Sequence, residues 1–328
     1  MPRYTSDGSV YDRMPPLWFT ILTFYLGHYM PSLFYWFMDT MIRSISKKAF
    51  PGIRESWGFN PPPSIAVCPP LIGTELYPFL ESGFCEPVPE ITRITGPRSV
   101  QLKSGRVLED VDAIIYCTGY HSYIPVKFEP EELNPYPYPG AVPNLYRNIF
   151  PLHDDPAIRN SLAFLGQGAI PFPGFVAHEV IGVAVSQIWK GSSALPALPE
   201  MQKWHKDCLK WREDMTRQYD AKSTFYTVFV PMSDHANWVD KTAGLGLRHH
   251  FGLVERWINA DAWKFWWRDR KLYYQCLNGL TSPAIFRLFD MGKRRAWSGA
   301  KEQIFVDDER VQRQQKERLK WLEKQKAS

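Results

Sequence analysis

Two short apolar runs, each stopping at a glycine turn, constrain this chain more than any other feature. Val111–Tyr116 reads Val-Asp-Ala-Ile-Ile-Tyr and stops at Cys117-Thr118-Gly119-Tyr120. Ser161–Leu165 reads Ser-Leu-Ala-Phe-Leu and stops at Gly166-Gln167-Gly168. A nearly continuous apolar run of this length, bounded by turn residues, is the pattern of a strand buried on both faces. Beyond the second run, Val176, Val180, Val183, Ala184 and Ile188 fall at i, i+4, i+7, i+8 and i+12. That spacing predicts a helix from about Phe175 to Lys190, ended by Gly191. Strand, glycine turn and helix in that order is how an α/β sheet turns backbone N–H groups toward a phosphate.

The glycines set a limit on that chemistry. Only Gly166/Gly168 and Gly244/Gly246 lie two positions apart, and the third position of each would-be G-x-G-x-x-G is Pro171 or His249. The dinucleotide fingerprint is therefore absent from these 328 residues. No glycine pair is spaced for a G-x-S-x-G elbow, and no P-loop occurs. His178-Glu179 opens like a zinc-binding H-E-x-x-H, but its fifth position is Gly182. His249-His250 are adjacent and are read as satisfied or surface histidines. No acid–base or metal constellation emerges, so no catalytic residue and no metal site are assigned. Cys68, Cys85, Cys117, Cys208 and Cys276 are widely spaced with no C-x-x-C, which points to a reducing, cytoplasmic setting.

A net charge of +5 is far short of the basic stripe that nucleic acid requires, so no nucleic-acid partner is expected. Residues 17–42 form a long aromatic run, from Leu17-Trp18-Phe19 to Phe37-Met38, broken by Gly27 and Pro31. It is read as a buried or surface-docked helix pair, with peripheral membrane contact as the alternative. A short helix is expected over Gly73–Ser82. Short strands are expected at Ile91–Thr95, Val100–Lys103 and Arg106–Leu108, around turns at Gly96-Pro97 and Ser104-Gly105. Residues 200–220 and 254–275 read as helices, with Trp257, Trp263, Trp266 and Trp267 turned inward. Val306–Ser328 reads as a solvated helix or tail.

Asp112-Ala-Ile-Ile-Tyr-Cys-Thr-Gly-Tyr120 closely resembles the D-x-[IV]-[IV]-x-[AC]-T-G-[YF] segment of the flavin-containing monooxygenase family. Leu145-Tyr146-Arg147-Asn148-Ile149-Phe150-Pro151 is similar to that family's L-Y-x-x-[IV]-F-P, and Leu162-Ala163-Phe164-Leu165-Gly166 to its L-A-F-[IL]-G. Leu280-Thr281-Ser282-Pro283-Ala284-Ile285-Phe286-Arg287-Leu288 resembles its C-terminal G-P-x-x-P-x-x-[YF]-R-L pattern. The pieces follow the family's order over nearly the whole chain. The family's two nucleotide fingerprints and its F-x-G-x-x-x-H-x-x-x-[YF] signature do not occur.

The resemblance implies an α/β fold built on an incomplete Rossmann-like FAD/NAD(P)-binding sheet, with a helical, aromatic-rich C-terminal part. Residues 1–110 would be a remnant of the NADPH-side domain with a helical insert, 111–190 the C-terminal part of the FAD domain, and 191–328 a helical C-terminal region. It further implies FAD, NADPH and a small-molecule substrate, oxygenated at a soft N, S or carbonyl centre. Thr118, Gly119, Tyr120, Gly166 and Gln167 would line the flavin side. Without either pyrophosphate cradle the chain is expected to be truncated and incompetent alone. The rival reading is a non-catalytic remnant acting as an interaction or membrane-associated protein through residues 17–42.

Overall fold

The computed structural model describes residues 1–5, 8–10, 15–60, 62–117, 126–138, 140–166, 174–219 and 229–327. The chain opens with a helical hairpin, α1 (Leu17–Tyr29) and α2 (Pro31–Ala49). The break falls at Met30, which leaves helical geometry at φ −139°. Pro31 has no N–H to donate and cannot continue α1, but it suits the first turn of α2. Gly27 stays inside α1, where its missing Cβ serves packing: a Cβ there would lie 3.0 Å from Ser233 Oγ. That hydroxyl donates to the Phe24 carbonyl at 2.8 Å and ties the hairpin to the later helix α7 (Met232–Ala243). The hairpin is docked, as its sequence predicts. Among the described residues, no helix is long and apolar enough to cross a membrane.

A short helix α3 (Leu76–Glu81) leads to a three-stranded antiparallel sheet, β1 (Ile91–Gly96), β2 (Ser99–Leu102) and β3 (Val107–Leu108), in that order. Ile91 faces Leu102 and Ile94 faces Val100. Val100 and Leu102 point inward on alternate positions of β2, while Ile94 on β1 stays exposed. A second hairpin, β4 (Leu145–Tyr146) and β5 (Phe150–Pro151), turns through Arg147 and Asn148. Both turn residues have positive φ, 54° and 56°. They are the two central residues of a tight turn closed by the Ile149 N–H on the Tyr146 carbonyl at 2.9 Å, within a three-residue loop between the paired Tyr146 and Phe150. Asn tolerates it locally; Arg147 is held there by the contacts described below.

The remaining elements are helices: α4 (Pro156–Ser161), α5 (Gly174–Trp189), α6 (Leu198–Tyr219), α7, α8 (Leu247–Phe251), α9 (Glu255–Ile258), α10 (Ala260–Arg268), α11 (Arg270–Asn278) and α12 (Ala300–Ala327). One core gathers Ile149, Phe150, Ile181, Ala184, Met201 and Val239, from the β4–β5 hairpin, α5, α6 and α7. A second joins α1 to the C-terminal helices through Leu17, Ile21, Phe251, Phe265, Ile285 and Ile304. A third packs Phe34 and Tyr35 of α2 on Ile65, Val67 and Met232. Helix α12 starts earlier than expected, because Ala300 and Ile304 are fully buried and seat its first turns; beyond them it is largely solvated.

Five expectations are corrected. Val111–Tyr116 is not a buried strand: it is extended chain outside any ladder, with Ile115 84% and Tyr116 77% exposed. Its ties to the small sheet are the Val111 N–H donating to the Arg98 carbonyl at 2.9 Å and the Arg98 guanidinium donating to Asp112 Oδ1 at 2.6 Å. A strand needs a partner, and no described strand lies beside this one. Ser161–Leu165 is not a strand either. Ser161 closes α4, which Asp155 caps by accepting the Ala157 N–H at 2.8 Å, and Phe164 reaches the β4–β5 turn through one N–H to the Ile149 carbonyl, 2.8 Å. No parallel, Rossmann-like sheet is therefore seen among the described residues; the three-stranded sheet and the β4–β5 pair are both antiparallel, in a chain of mixed helix and strand. The buried stripe of α5 is Ala177, Ile181, Ala184, Val185 and Ile188, rotated from the predicted one, leaving Val176, Val180 and Val183 half-buried. Finally, the tryptophans face outward. Trp257, Trp263 and Trp267 are exposed, and rings at 5.3, 6.0 and 5.2 Å link Trp257, Trp263, Trp266 and Trp267 in sequence. Ala262 and Phe265 take the core positions instead.

Candidate functional site

The β4–β5 turn starts the site. Arg147 is buried, and its guanidinium donates from Nη1 to Asp234 Oδ2 at 2.8 Å and from Nη2 to Asp234 Oδ1 at 3.2 Å. Its Nε donates to the Tyr146 hydroxyl at 3.0 Å. Three rings surround the cation, Tyr146 at 5.3 Å, Trp204 at 5.1 Å and Trp238 at 5.1 Å. Trp204 Nε1 also donates to Asp234 Oδ2 at 2.8 Å. Burial alone would push the Asp234 carboxyl up. The hydrogen bonds and charge of Arg147, aided by the indole N–H, outweigh it and hold the group below its ordinary range. A planar guanidinium meeting both carboxylate oxygens fixes orientation as well as charge. The first turn of α7 is thereby locked to the hairpin and to α6.

The next residue along α7 is His235, only 2% exposed. Burial, and then the positive charge of Arg147, depress its pKa from 6.5 to about 4, so the imidazole is neutral. It lines a partly open, mostly apolar cavity of about 120 Å³ between α1, α5 and α7. Thr20, Ile21 and Phe24 form the α1 wall, and Val176, Ala177 and Val180 the α5 wall. The charged residues at the rim are engaged. Asp240 accepts the backbone N–H groups of Leu247 (3.0 Å) and Arg248 (3.1 Å). Arg248 donates to Asn237 Oδ1 at 2.6 Å and to Glu255, and lies over the Tyr25 ring at 5.4 Å. The Tyr25 hydroxyl in turn donates to Glu255. The space is suited to an uncharged, compact, mostly apolar molecule.

Of the residues expected on a flavin face, Thr118, Gly119, Tyr120 and Gln167 lie outside the described residues. Gly166 is described. It sits at φ 85°, a left-handed conformation that favours glycine, beside the first turns of α5, where an added Cβ would come within 3.7 Å of His178 Nε2. Helix α5, from Gly174 on, supplies one wall of the cavity. No group of His, Cys, Asp or Glu that could hold a metal ion occurs among the described residues. His250 is satisfied as expected: its ring stacks on Phe289 at 3.6 Å and Nδ1 meets the Gly246 carbonyl at 2.9 Å. The described residues do not fit a dinucleotide, because no parallel strand feeds a glycine turn and helix N-terminus that could cradle a pyrophosphate.

Arg147, Asn148 and Tyr146 fall within a segment that the sequence singles out, but their role in the turn does not show there. Asp234, His235 and Thr20 carry no local sequence signal. The Asp234-His235 pair at a helix start gains meaning only from Arg147, 87 positions away.

Residues 54–327 match the family described as FMO-like, flavin-binding monooxygenase-like. The chain is 32% identical over 291 residues to monooxygenase aurF of Gibberella zeae, covering 86% of this chain and 52% of that protein. It is 31% identical over 170 residues to flavin-containing monooxygenase FMO GS-OX3 of Arabidopsis thaliana, 50% of this chain and 32% of that protein. It is 23% identical over 329 residues to flavin-containing monooxygenase 3 of Canis lupus familiaris, 97% of this chain and 53% of that protein. The chain thus spans about a third to a half of the length of these relatives. With a match that runs through the β4–β5 turn, α5 and α7, the chain belongs to the flavin-binding monooxygenase-like family.

Proposed function

We propose that this chain forms the substrate side of a flavin-dependent, NADPH-using monooxygenase that oxygenates a soft N, S or carbonyl centre of a small molecule. One observation carries the reading beyond family membership: α5, whose His178 lies beside Gly166, forms one wall of a partly open, mostly apolar cavity. In such enzymes the cofactor supplies the oxygen chemistry, and the protein binds, orients and excludes water. Here Thr20, Ala177, Val180 and His235 would hold the substrate, and the Arg147–Asp234 pair would keep α7 in place. Residues 1–110 would belong to the NADPH side, 111–190 to the FAD side with Thr118, Gly119, Tyr120, Gly166 and Gln167 facing the flavin, and 191–328 to the helical region. FAD and NADPH would be bound by fingerprints outside these 328 residues.

The test compares these 328 residues alone with the same residues joined to the nucleotide-binding half of a family member. Alone they should carry no flavin absorbance and consume no NADPH. The joined protein should bind flavin and take up oxygen with NADPH when given a thioether or ketone. Stoichiometric flavin on the isolated chain would remove the claim of a missing cradle. A joined protein that folds and binds flavin but oxygenates nothing would remove the monooxygenase reading.

A second reading, membrane or partner docking, is favoured by the outer face of the α1–α2 hairpin, where Trp18, Leu22, Tyr29, Leu33, Trp36 and Phe37 are exposed. Arg43, Lys47 and Lys48 follow on α2. Cosedimentation with anionic vesicles that is lost in a Trp18→Ser, Trp36→Ser variant supports it; no cosedimentation of the parent chain removes it.

A further inference from the structure

The outward tryptophans do not stand alone. Ile258 is 79% and Trp267 70% exposed, and Val254, Trp257, Trp263 and Tyr274 are exposed beside them. The ring contacts along α9 and α10, and Trp266 Nε1 donating to the Tyr274 hydroxyl at 3.4 Å, join these side chains into one face of α9, α10 and α11. Cations are interleaved with the rings. Arg256 lies over Trp257 at 4.9 Å, and Arg270 over Trp266 and Trp267 at 4.3 and 4.5 Å.

The charge on this face is one-sided. Its carboxylates are neutralised within the fold: Glu255 pairs with Arg248, Asp261 with Lys264, and Asp269 with Lys301 while it caps α11. Arg256, Arg268, Arg270 and Lys271 form no direct ion pair among the described residues. Arg270 and Lys271 also stand in the first turn of α11, the positive end of its dipole, where a cation is disfavoured. The exposed apolar surface over α3 and β1–β3 is different, because Arg98, Lys103 and Arg106 there are paired with Asp112, Glu90 and Glu86.

We infer that the α9–α11 face binds the surface of an anionic lipid bilayer. Trp257, Ile258 and Trp267 enter the boundary between headgroups and acyl chains, and the four unpaired cations meet lipid phosphates and carboxylates. An indole suits that boundary, since its body is apolar and its N–H polar. Single-stranded nucleic acid would need free ring faces for its bases, and the protein's own guanidinium groups already lie over Trp257, Trp266 and Trp267. Val254 and Ile258 find a partner in acyl chains and none in a phosphate backbone. The inference does not depend on the oxygenation reading, and it places lipid contact on helices other than α1 and α2.

The experiment sediments the full 328-residue chain with sucrose-loaded vesicles of phosphatidylcholine, with and without phosphatidylserine, at low and at high salt. The chain should bind the phosphatidylserine vesicles at low salt, release them at high salt and leave phosphatidylcholine alone unbound. Trp257→Ser with Trp267→Ser should weaken binding about tenfold. Arg268→Gln with Arg270→Gln should weaken it about fivefold per charge. Lys316→Gln with Lys320→Gln removes the same charge from α12 and should leave binding within about twofold. Brominated acyl chains should quench the tryptophan emission of the parent chain, and that of the Trp257→Ser, Trp267→Ser variant less, which adsorption by charge alone would not produce. Circular dichroism of each variant confirms that it is folded. No binding of the parent chain, equal binding to both vesicle types, equal loss in the two charge variants, or unchanged binding in the tryptophan variant overturns the inference. So does binding to a single-stranded oligonucleotide with none to vesicles. The Trp18→Ser, Trp36→Ser variant reports on the hairpin alone: binding that survives it and fails in the α10 variants supports this face over the hairpin. With no flavin or NADPH present, neither result touches the monooxygenase reading.

Discussion

His235 should make the stability of this protein depend on pH in a window where few other groups titrate. In the folded chain the ring takes a proton only near pH 4, against an ordinary value of 6.5, because burial and then the Arg147 charge oppose the cation. Asp234 works in the opposite direction and is outweighed. The unfolded chain binds this proton first as pH falls. Between pH 6.5 and about 4 the unfolded state therefore carries more protons, and stability declines with falling pH. Below about 4 both states are protonated and this contribution levels off. The gap between the two values amounts to about 3 kcal/mol, at ~1.4 kcal/mol per pH unit. His205 and His250 are shifted down as well, both chiefly by burial, and add to the same slope. The His235 share is isolated by urea denaturation of the parent and a His235→Gln variant at several pH values from 7 down to 4. The parent should lose about 3 kcal/mol more than the variant over that range. A difference under ~1 kcal/mol would mean that His235 titrates like a solvated histidine, and the picture of a desolvated α7 face against the cavity would be wrong.

Other outcomes follow from the same geometry. Asp234→Ala strands the buried Arg147 guanidinium and should cost about 2–3 kcal/mol, less than a fully buried pair because the Asp234 side chain is 45% exposed; chemical denaturation checks it, and a cost near zero counts against the locking role. Ile304→Ala empties a fully buried position where α12 meets the second core and should lower stability by about 3 kcal/mol, again read from denaturation midpoints. Gly246→Ala should cost ~1–2 kcal/mol, because its φ of 74° is left-handed and the new Cβ would meet Met291 Sδ at 2.7 Å; a neutral result would show that the turn before α8 adjusts freely. Ile115→Glu should leave stability within ~0.5 kcal/mol while reducing light scattering on concentration, since Ile115 is 84% exposed in an apolar strand-like segment.

Much of the local architecture was legible from residue order alone. The α1–α2 break at Pro31, the three short strands around Gly96-Pro97 and Ser104-Gly105, and the extent of α5 all appear close to where turn and helix signals place them. These features depend on proline rings, glycine conformers and alternation, which act within a few residues. The family, too, was legible, because its motifs are spread along the chain. Of the flavin-facing residues the sequence points to, Gly166 alone is described, and the residues that shape the cavity were not among those singled out.

What only the tertiary structure decided is anything that requires a distant partner. The run Val111–Tyr116 has strand composition, but a strand exists only where another backbone receives its hydrogen bonds in a ladder, and among the described residues the Val111 N–H to the Arg98 carbonyl is a single bond outside any ladder. Helix α5 is apolar on so many faces that its periodicity did not define one stripe; packing against α7 chose Ala177, Ile181 and Val185. The tryptophans of α9 and α10 matched an inward pattern, yet bends at Asn259 and Asp269 let Ala262 and Phe265 take the interior. Thr20 and His235 came to line one cavity only when α1 packed onto α7 across more than two hundred positions. Residue order sets what each segment can do locally, and the energy of burying one segment against another selects which of those options is used.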